Sequence, residues 1–189
     1  ELYKAGKLTN AHKELDTGLS AWNLAMGSQE LYDWLDAEPQ LFHPGDLDYI
    51  HSVERISKLS NVISINGVVQ LDLMGQENAE STGTRQLSGV GGQMDFLEGA
   101  YRSKGGKGFI CINSSRVTKD GERKSNILAT IPGGSTISAP RTMIQYVATE
   151  YGIASLSGKT LRERAEAMAS IAHPDFREEL MKYAQENFK

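Results

Sequence analysis

The sequence of 189 residues is 39% apolar, 23% charged and 7% aromatic, with 19 glycines and 5 prolines, which fits one filled core and excludes collagen-like or disordered composition. Lys and Arg total 20 against 24 Asp and Glu, for a net charge of -4. No block of like charge is long enough to track a phosphate backbone, so nucleic acid is not an expected partner.

The first seven residues, Glu1-Leu2-Tyr3-Lys4-Ala5-Gly6-Lys7, read as the end of a helix closed by glycine, so the chain is expected to be a piece of a longer protein. Residues 18–26 form a strand-like stretch leading through Gly27 to Ser28, an N-cap for a helix that sets Leu31 and Leu35 four apart. Asp36-Ala37-Glu38-Pro39 stops that helix. Residues 61–66 alternate with period two and residues 68–73 repeat the pattern, giving two adjacent strands. The glycine cluster of residues 89–92 opens a helix with Met94, Phe96, Leu97 and Tyr101 inside, ending at Lys104-Gly105-Gly106. Residues 109–112 and 127–131 are further strands, and residues 113–125, rich in Ser, Lys, Asp and Gly, are expected to be a solvated loop. Thr160 and Glu163 have capping-box spacing, with Leu161, Ala165, Met168 and Ala172 as an apolar stripe. Past Pro174, Phe176, Leu180 and Tyr183 keep helical spacing. Strands alternating with helices predict an α/β layered domain, a largely parallel sheet flanked by helices.

No apolar run approaches the roughly 18 residues needed to cross a bilayer, and no signal-peptide pattern opens the chain, so a cytoplasmic location is expected. Cys111, the single cysteine, lies in the apolar run Gly108-Phe109-Ile110-Cys111-Ile112 and is expected to be buried in a reducing compartment. His12, His43, His51 and His173 show no metal-ligand spacing, so no metal site is expected. No nucleophile elbow of the Gly-x-Ser-x-Gly type occurs.

The densest unusual segment is Gly83-Thr84-Arg85-Gln86-Leu87-Ser88-Gly89-Val90-Gly91-Gly92-Gln93-Met94-Asp95-Phe96. Glycines ahead of a helix bring backbone N–H groups close to a ligand, and the helix N-terminus adds positive potential, which suits a phosphate or a developing oxyanion. Met94 stands where a dinucleotide fingerprint needs glycine, and no P-loop lysine follows. Lys104 beside Gly105 and Gly106 reads either as a helix C-cap or as a phosphate contact. Glu77, Glu80 and Glu150 each fall near a predicted strand end, where α/β sheets face their ligands and where a lone glutamate is ordinarily solvated.

Several motifs occur together in one order: Val62-Ile63-Ser64-Ile65-Asn66-Gly67, Asp72-Leu73-Met74-Gly75-Gln76, Ser81-Thr82-Gly83-Thr84-Arg85, Ser88-Gly89-Val90-Gly91-Gly92-Gln93-Met94-Asp95-Phe96 and Ser103-Lys104-Gly105-Gly106-Lys107. They continue in Val147-Ala148-Thr149-Glu150-Tyr151-Gly152, Leu156-Ser157-Gly158-Lys159-Thr160-Leu161-Arg162-Glu163-Arg164 and Ala172-His173-Pro174-Asp175-Phe176-Arg177. Together they resemble the C-terminal part of the acetyl-CoA hydrolase/transferase family, which includes 4-hydroxybutyrate CoA-transferase and related acyl-CoA:carboxylate CoA-transferases.

The resemblance implies a CoA-transferase-like α/β domain across residues 1–189, acting on acyl-CoA and small carboxylates with coenzyme A as the carried group and no metal. It implies a glutamate that attacks the thioester and passes through an acyl-glutamyl anhydride to a glutamyl-CoA thioester. Family-like roles fall on Gly92 as an oxyanion donor with Gly91 beside it, Lys104 near the CoA moiety, Glu150 as a polar partner, and His51 and Gln93 in the substrate pocket. His51, in Tyr49-Ile50-His51-Ser52-Val53, stands where many relatives read Tyr-Val-Asn-Asp-Pro. The family's nucleophile lies upstream of Glu1, in an expected N-terminal domain of the same protein, with Glu77 and Glu80 as weaker substitutes. A homo-oligomer is compatible with the resemblance. The alternatives are an acyl-CoA hydrolase using the same residues, and a noncatalytic CoA-binding or assembly domain.

Overall fold

Glycine-bearing turns divide residues 1–188, which the computed structural model describes, into short strands and six α-helices. Gly6 takes φ +66 and closes a turn in which the Lys7 N–H donates to the Leu2 carbonyl at 2.9 Å. Strands β1 (Ser20–Trp22) and β2 (Phe42–Pro44) pair in parallel on either side of helix α1 (Gln29–Ala37). The predicted strand of residues 18–26 therefore contracts to three residues. Leu24 and Met26 end in solvent, Met26 being 79% exposed, so their alternation does not mark a buried face. Ser28 is the N-cap of α1 by position, without a side-chain bond. Trp34 on α1 packs between Tyr3 and Phe42, with ring centroids 5.0 and 4.9 Å away.

Helices α2 (Leu47–Ile50) and α3 (Val53–Ser57) start at Asp46 and Ser52, whose side chains accept from Tyr49 and Arg55 N–H groups. Helix α4 (Gln93–Arg102) packs on α3, and Gly99 permits the close crossing: a Cβ there would lie 2.4 Å from Ile56 Cγ2.

The strands from the middle of the chain onward are β3 (Ile63–Gly67), β4 (Gln70–Asp72), β5 (Glu77–Asn78), β6 (Ser81–Thr82), β7 (Arg85–Gln86), β8 (Lys107–Cys111), β9 (Ser115–Val117), β10 (Arg123–Ser125), β11 (Ile127–Leu128), β12 (Tyr146–Thr149) and β13 (Gly152–Ser155). The central sheet has the order β13-β12-β8-β3; β12, β8 and β3 run parallel, and β13 is an antiparallel edge. On one face Ser64, Gly108, Ile110, Val147 and Ala154 are buried beneath α4 and helix α5 (Leu161–Ser170). Gly108 lets α4 approach, since a Cβ there would meet Leu97 Cδ2 at 2.9 Å.

The structure is thus the α/β layered domain that the sequence predicts, with parallel character concentrated in the central sheet. The strands predicted over 61–73 belong to different sheets, because β4 pairs with β11 and β5 and not with β3. The predicted loop of residues 113–125 is instead a hairpin, β9 with β10, turned at Gly121 with φ +80. Arg116, Arg123 and Lys124 on its strands remove the apolar alternation that reveals a half-buried strand. The strand expected over 127–131 stops at Leu128, ahead of Pro132-Gly133-Gly134.

The capping box of α5 is present: Thr160 Oγ1 accepts from Glu163 N–H, and Glu163 Oε2 accepts from Thr160 N–H at 2.8 Å. Ala165, Met168 and Ala172 are buried as expected, but Leu161 is 42% exposed, in a first turn that precedes contact with the core. Arg164 is buried in its place. Its guanidinium donates to three carbonyls, those of Met74 and Leu156 at 2.9 Å and of Arg141 at 2.7 Å. Helix α6 (Pro174–Asn187) packs along α5. Among the described residues no helix is long and apolar enough to cross a membrane, and no group of three or more His, Cys, Asp or Glu could hold a metal ion.

Candidate active site

Parallel strands that end at one edge of a sheet put the residues after them into a common crevice. Here β8 ends at Cys111 and β12 at Thr149, and Val68, Cys111, Asn113, Ala148 and Glu150 line a cleft of about 460 Å3 at that edge. Cys111 is half-buried and not the enclosed core residue expected, because its side of the strand faces the cleft. Glu150 follows β12 directly, as predicted. Its carboxylate accepts from the Ser114 N–H at 2.9 Å and the Ser114 hydroxyl at 2.6 Å. Desolvation works upward on the Glu150 pKa, but the Ser114 bonds and the nearby His173 outweigh it and hold the carboxyl below its usual range. Ser114 gives no sequence signal of its own; the cue is its place just past a buried strand.

Helix α4 precedes β8 and packs on β8 and β3, and the Asn61 N–H bond to the Lys104 carbonyl ties the segment after it to the start of β3, so its C-terminus lies toward the amino edge and its N-terminus toward the carboxyl edge. Gly91 takes φ +60, a region that favours glycine, and Gly92 is the N-cap of α4. Neither N–H has a hydrogen-bond partner among the described residues, as the geometry of a helix start leaves them. His51 lies directly on Gly92: a Cβ there would be 2.2 Å from His51 Cε1 and 2.4 Å from Nδ1. The imidazole also packs edge-on against Phe96 at 5.3 Å. Asn23 Nδ2 lies 3.1 Å from His51 Nε2, and Asp95 Oδ2 lies 3.5 Å from His51 Nδ1. Leu47, Asp48, His51, Ser52, Gly91 and Asp95 line a groove of about 490 Å3 beside this turn.

Gln93 turns inward. Its Nε2 donates to Glu77 Oε1 at 2.7 Å. Glu77 and Glu80 are buried, not solvated as a lone glutamate near a strand end would be, and the Oε2 of each has no partner among the described residues. Burial, and then the charge of Glu80, push the Glu77 carboxyl up to about 8. A buried and neutral carboxyl is a poor nucleophile at pH 7, and neither Glu77 nor Glu80 lines the two openings described above.

Lys104 is exposed, two residues beyond α4, and its carbonyl accepts from the Asn61 N–H at 2.9 Å. The structure therefore brings Gly91, Gly92, His51 and Gln93 together at one end of α4 and sets Lys104 at the other, while Glu150 occupies the cleft beyond β12.

Comparison with known proteins places these features in context. The sequence profile of the acetyl-CoA hydrolase/transferase C-terminal domain matches residues 27–184. The chain is 43% identical over 185 residues to the butyryl-CoA:acetate CoA-transferase of Anaerostipes caccae, covering 98% of this chain and 41% of that protein. It is 44% identical over 188 residues to the 4-hydroxybutyrate coenzyme A transferase of Clostridium kluyveri, covering 100% and 43%. The crystal structure of RipA from Yersinia pestis superposes with a TM-score of 0.86 at 38% identity, covering 98% of this chain and 41% of that one. The chain thus spans about two fifths of the length of the relatives that it matches.

Proposed function

The chain belongs to the acetyl-CoA hydrolase/transferase family, and from that premise we propose that it forms the C-terminal part of an acyl-CoA:carboxylate CoA-transferase. The observation that carries the reading is the Gly91-Gly92 turn: two N–H groups at a helix start without partners among the described residues, in a position that no side chain at residue 92 could share with His51. Such a turn suits the oxyanion of a tetrahedral intermediate.

In this proposal a glutamate carboxylate on polypeptide preceding Glu1 attacks the thioester carbonyl. The tetrahedral oxyanion collapses to an acyl-glutamyl anhydride and expels CoA as thiolate. The thiolate then attacks the glutamyl carbonyl, giving glutamyl-CoA and the free acyl carboxylate, and an incoming carboxylate reverses both steps. Gly92 N–H stabilises the oxyanions, and the His51 ring bounds the acyl end. Glu150, ionised and fixed by Ser114, is the polar partner on the cleft side. Gln93 supports the turn from behind. Lys104 serves at the distant, nucleotide end of an extended CoA chain.

The test is to supply the full-length protein with acyl-CoA, with and without an acceptor carboxylate. Transfer that needs the acceptor, together with a glutamyl-CoA adduct detected by mass spectrometry, supports the transferase. CoA release at equal rates without acceptor identifies the hydrolase. CoA binding without turnover identifies a binding or assembly domain.

A further inference from the structure

The segment that carries His51 is anchored by a single carboxylate from a distant turn. Asp16 takes φ +49, a left-handed backbone that aspartate adopts more readily than most residues, in a turn where the Leu19 N–H donates to its carbonyl at 2.9 Å. Its side chain is 8% exposed and meets side chains from β2, α2 and α3. His43 Nδ1 lies 2.9 Å from Asp16 Oδ1, the Tyr49 hydroxyl donates to Oδ1 at 2.8 Å, and Arg55 Nη2 donates to Oδ2. Arg55 also donates to the Tyr49 hydroxyl at 2.9 Å, and its guanidinium carbon stands 3.8 Å from the centre of the Tyr49 ring. Desolvation works upward on the Asp16 pKa, but the bonds from His43, Tyr49 and Arg55 outweigh it and favour the charged form. Hydrogen bonds to an ionised carboxylate are stronger and shorter than neutral ones, so the cluster holds its members firmly.

We propose that Asp16 is the positioning residue for His51: it clamps Tyr49 and Arg55, on either side of His51 in the chain, and so fixes where the imidazole stands over the Gly92 turn. The consequence for acyl selection rests on the reading that this turn is the acyl end of a CoA-transferase site. Between the two clamped residues α2 ends and α3 begins, with His51 as the C-cap of the first and Ser52 as the N-cap of the second. Ile50 and Ile56 are buried beneath the same segment. The backbone of His51 is thus held from both sides by groups that converge on Asp16. The ring fills the space of a Gly92 Cβ, so a small shift of the α2–α3 segment carries it onto or off the turn. Asp16 makes no hydrogen bond to the ring among the described residues; it acts through Tyr49 and Arg55.

The experiment uses the full-length protein and the variant Asp16→Asn, which keeps an oxygen for Tyr49 and removes the charge that holds Arg55. In histidine-labelled protein the ring Cε1–H NMR signal of His51, assigned by its loss in His51→Gln, should move in Asp16→Asn. An unmoved signal overturns the proposal. With a two-carbon and a four-carbon acyl-CoA, the ratio of the two kcat/KM values should change at least about threefold, as for residues coupled through one segment, and the change should vanish in a His51→Ala background. A role confined to stability lowers both values alike, or persists without His51, and either result overturns the positioning role. Tyr49→Phe, which removes one donor and no charge, should move the same signal and the same ratio; it decides the question if Asp16→Asn does not fold, and no movement in it overturns the proposal. A wild type that turns over neither acyl-CoA would overturn the proposed function instead, and the His51 signal alone would then decide the role of Asp16.

Discussion

The Gln93 side-chain amide donates to Glu77 Oε1 at 2.7 Å, tying the first residue of α4 to a carboxyl with no access to solvent. The residue just before Gln93 is Gly92, so the bond supports the turn that offers the unpartnered N–H groups. Burial, with the Glu80 charge behind it, raises the Glu77 pKa from 4.5 to about 8. The folded protein therefore keeps a proton that the unfolded chain releases as pH rises above 4.5.

The sign of the pH dependence follows. Glu77 favours folding fully below its unfolded pKa, and that contribution is lost as pH rises from 4.5 to about 8. The slope for one proton is at most about 1.4 kcal/mol per pH unit. Glu77→Gln retains an acceptor for Gln93 and removes the titration. Urea unfolding at several pH values should show the wild type losing stability relative to Glu77→Gln across that window. Parallel curves would refute the assignment.

Gly92→Ala must displace His51, whose ring atoms occupy the space of a Cβ. In the full-length protein, a turn shifted by that clash would misplace the Gly92 N–H proposed to stabilise the oxyanion and should lower kcat on the order of 100-fold. His51→Ala combined with Gly92→Ala should restore the folding stability lost in the glycine variant. Steady-state kinetics and melting temperatures on the three variants separate a crowded turn from a missing donor. Full activity in Gly92→Ala would remove Gly92 from the site.

Ser114→Ala removes the hydroxyl bond to Glu150 and keeps the backbone one. The Glu150 pKa should rise toward its usual value. Because a depressed carboxylate contributes stability above its unfolded pKa and loses it as pH falls through the folded one, the variant should lose less stability on acidification. Carboxyl carbon NMR titration of Glu150 reads the shift directly, and an unchanged midpoint would contradict the hydrogen-bond account.

Arg164→Leu leaves the Met74, Leu156 and Arg141 carbonyls without their donor. The expected loss is on the order of 3 kcal/mol, since the buried Leu156 carbonyl and the part-buried Met74 and Arg141 contacts lose a charged donor and keep their desolvation cost. Arg164→Lys should recover little of it, because an ammonium lacks the planar fork that reaches three directions. Denaturation midpoints at constant slope measure both; a loss below about 1 kcal/mol would mean that water replaces the guanidinium.

Where chemistry is local, the sequence was readable. The α5 capping box depends on two residues three apart, and the α4 start depends on Gly91 and Gly92, so both are visible without tertiary context. The end of β12 before Glu150 is similar. Arg164 was hidden because arginine is ordinarily a surface residue, and only the carbonyls converging from three distant segments make its burial tolerable. Glu77 was hidden for the same reason: nothing in Gln76-Glu77-Asn78 announces that Gln93 and Ala139 enclose it. The run Gly108-Phe109-Ile110-Cys111-Ile112 misled in the opposite sense. It is apolar on both sides of the strand, which reads as burial on both sides, whereas helices cover only the Gly108 and Ile110 side here.

Helix α4 also sets a length scale. Its ten residues rise about 1.5 Å each, so roughly 15 Å separates the Gly92 turn from the start of the Lys104 segment. A ligand that touches both ends must be at least that long. If the glycine turn and Lys104 contact one thioester as proposed, a short thiol reaches the turn alone and a full CoA chain reaches both, so that the helix length discriminates the thiol carrier and not the acyl group.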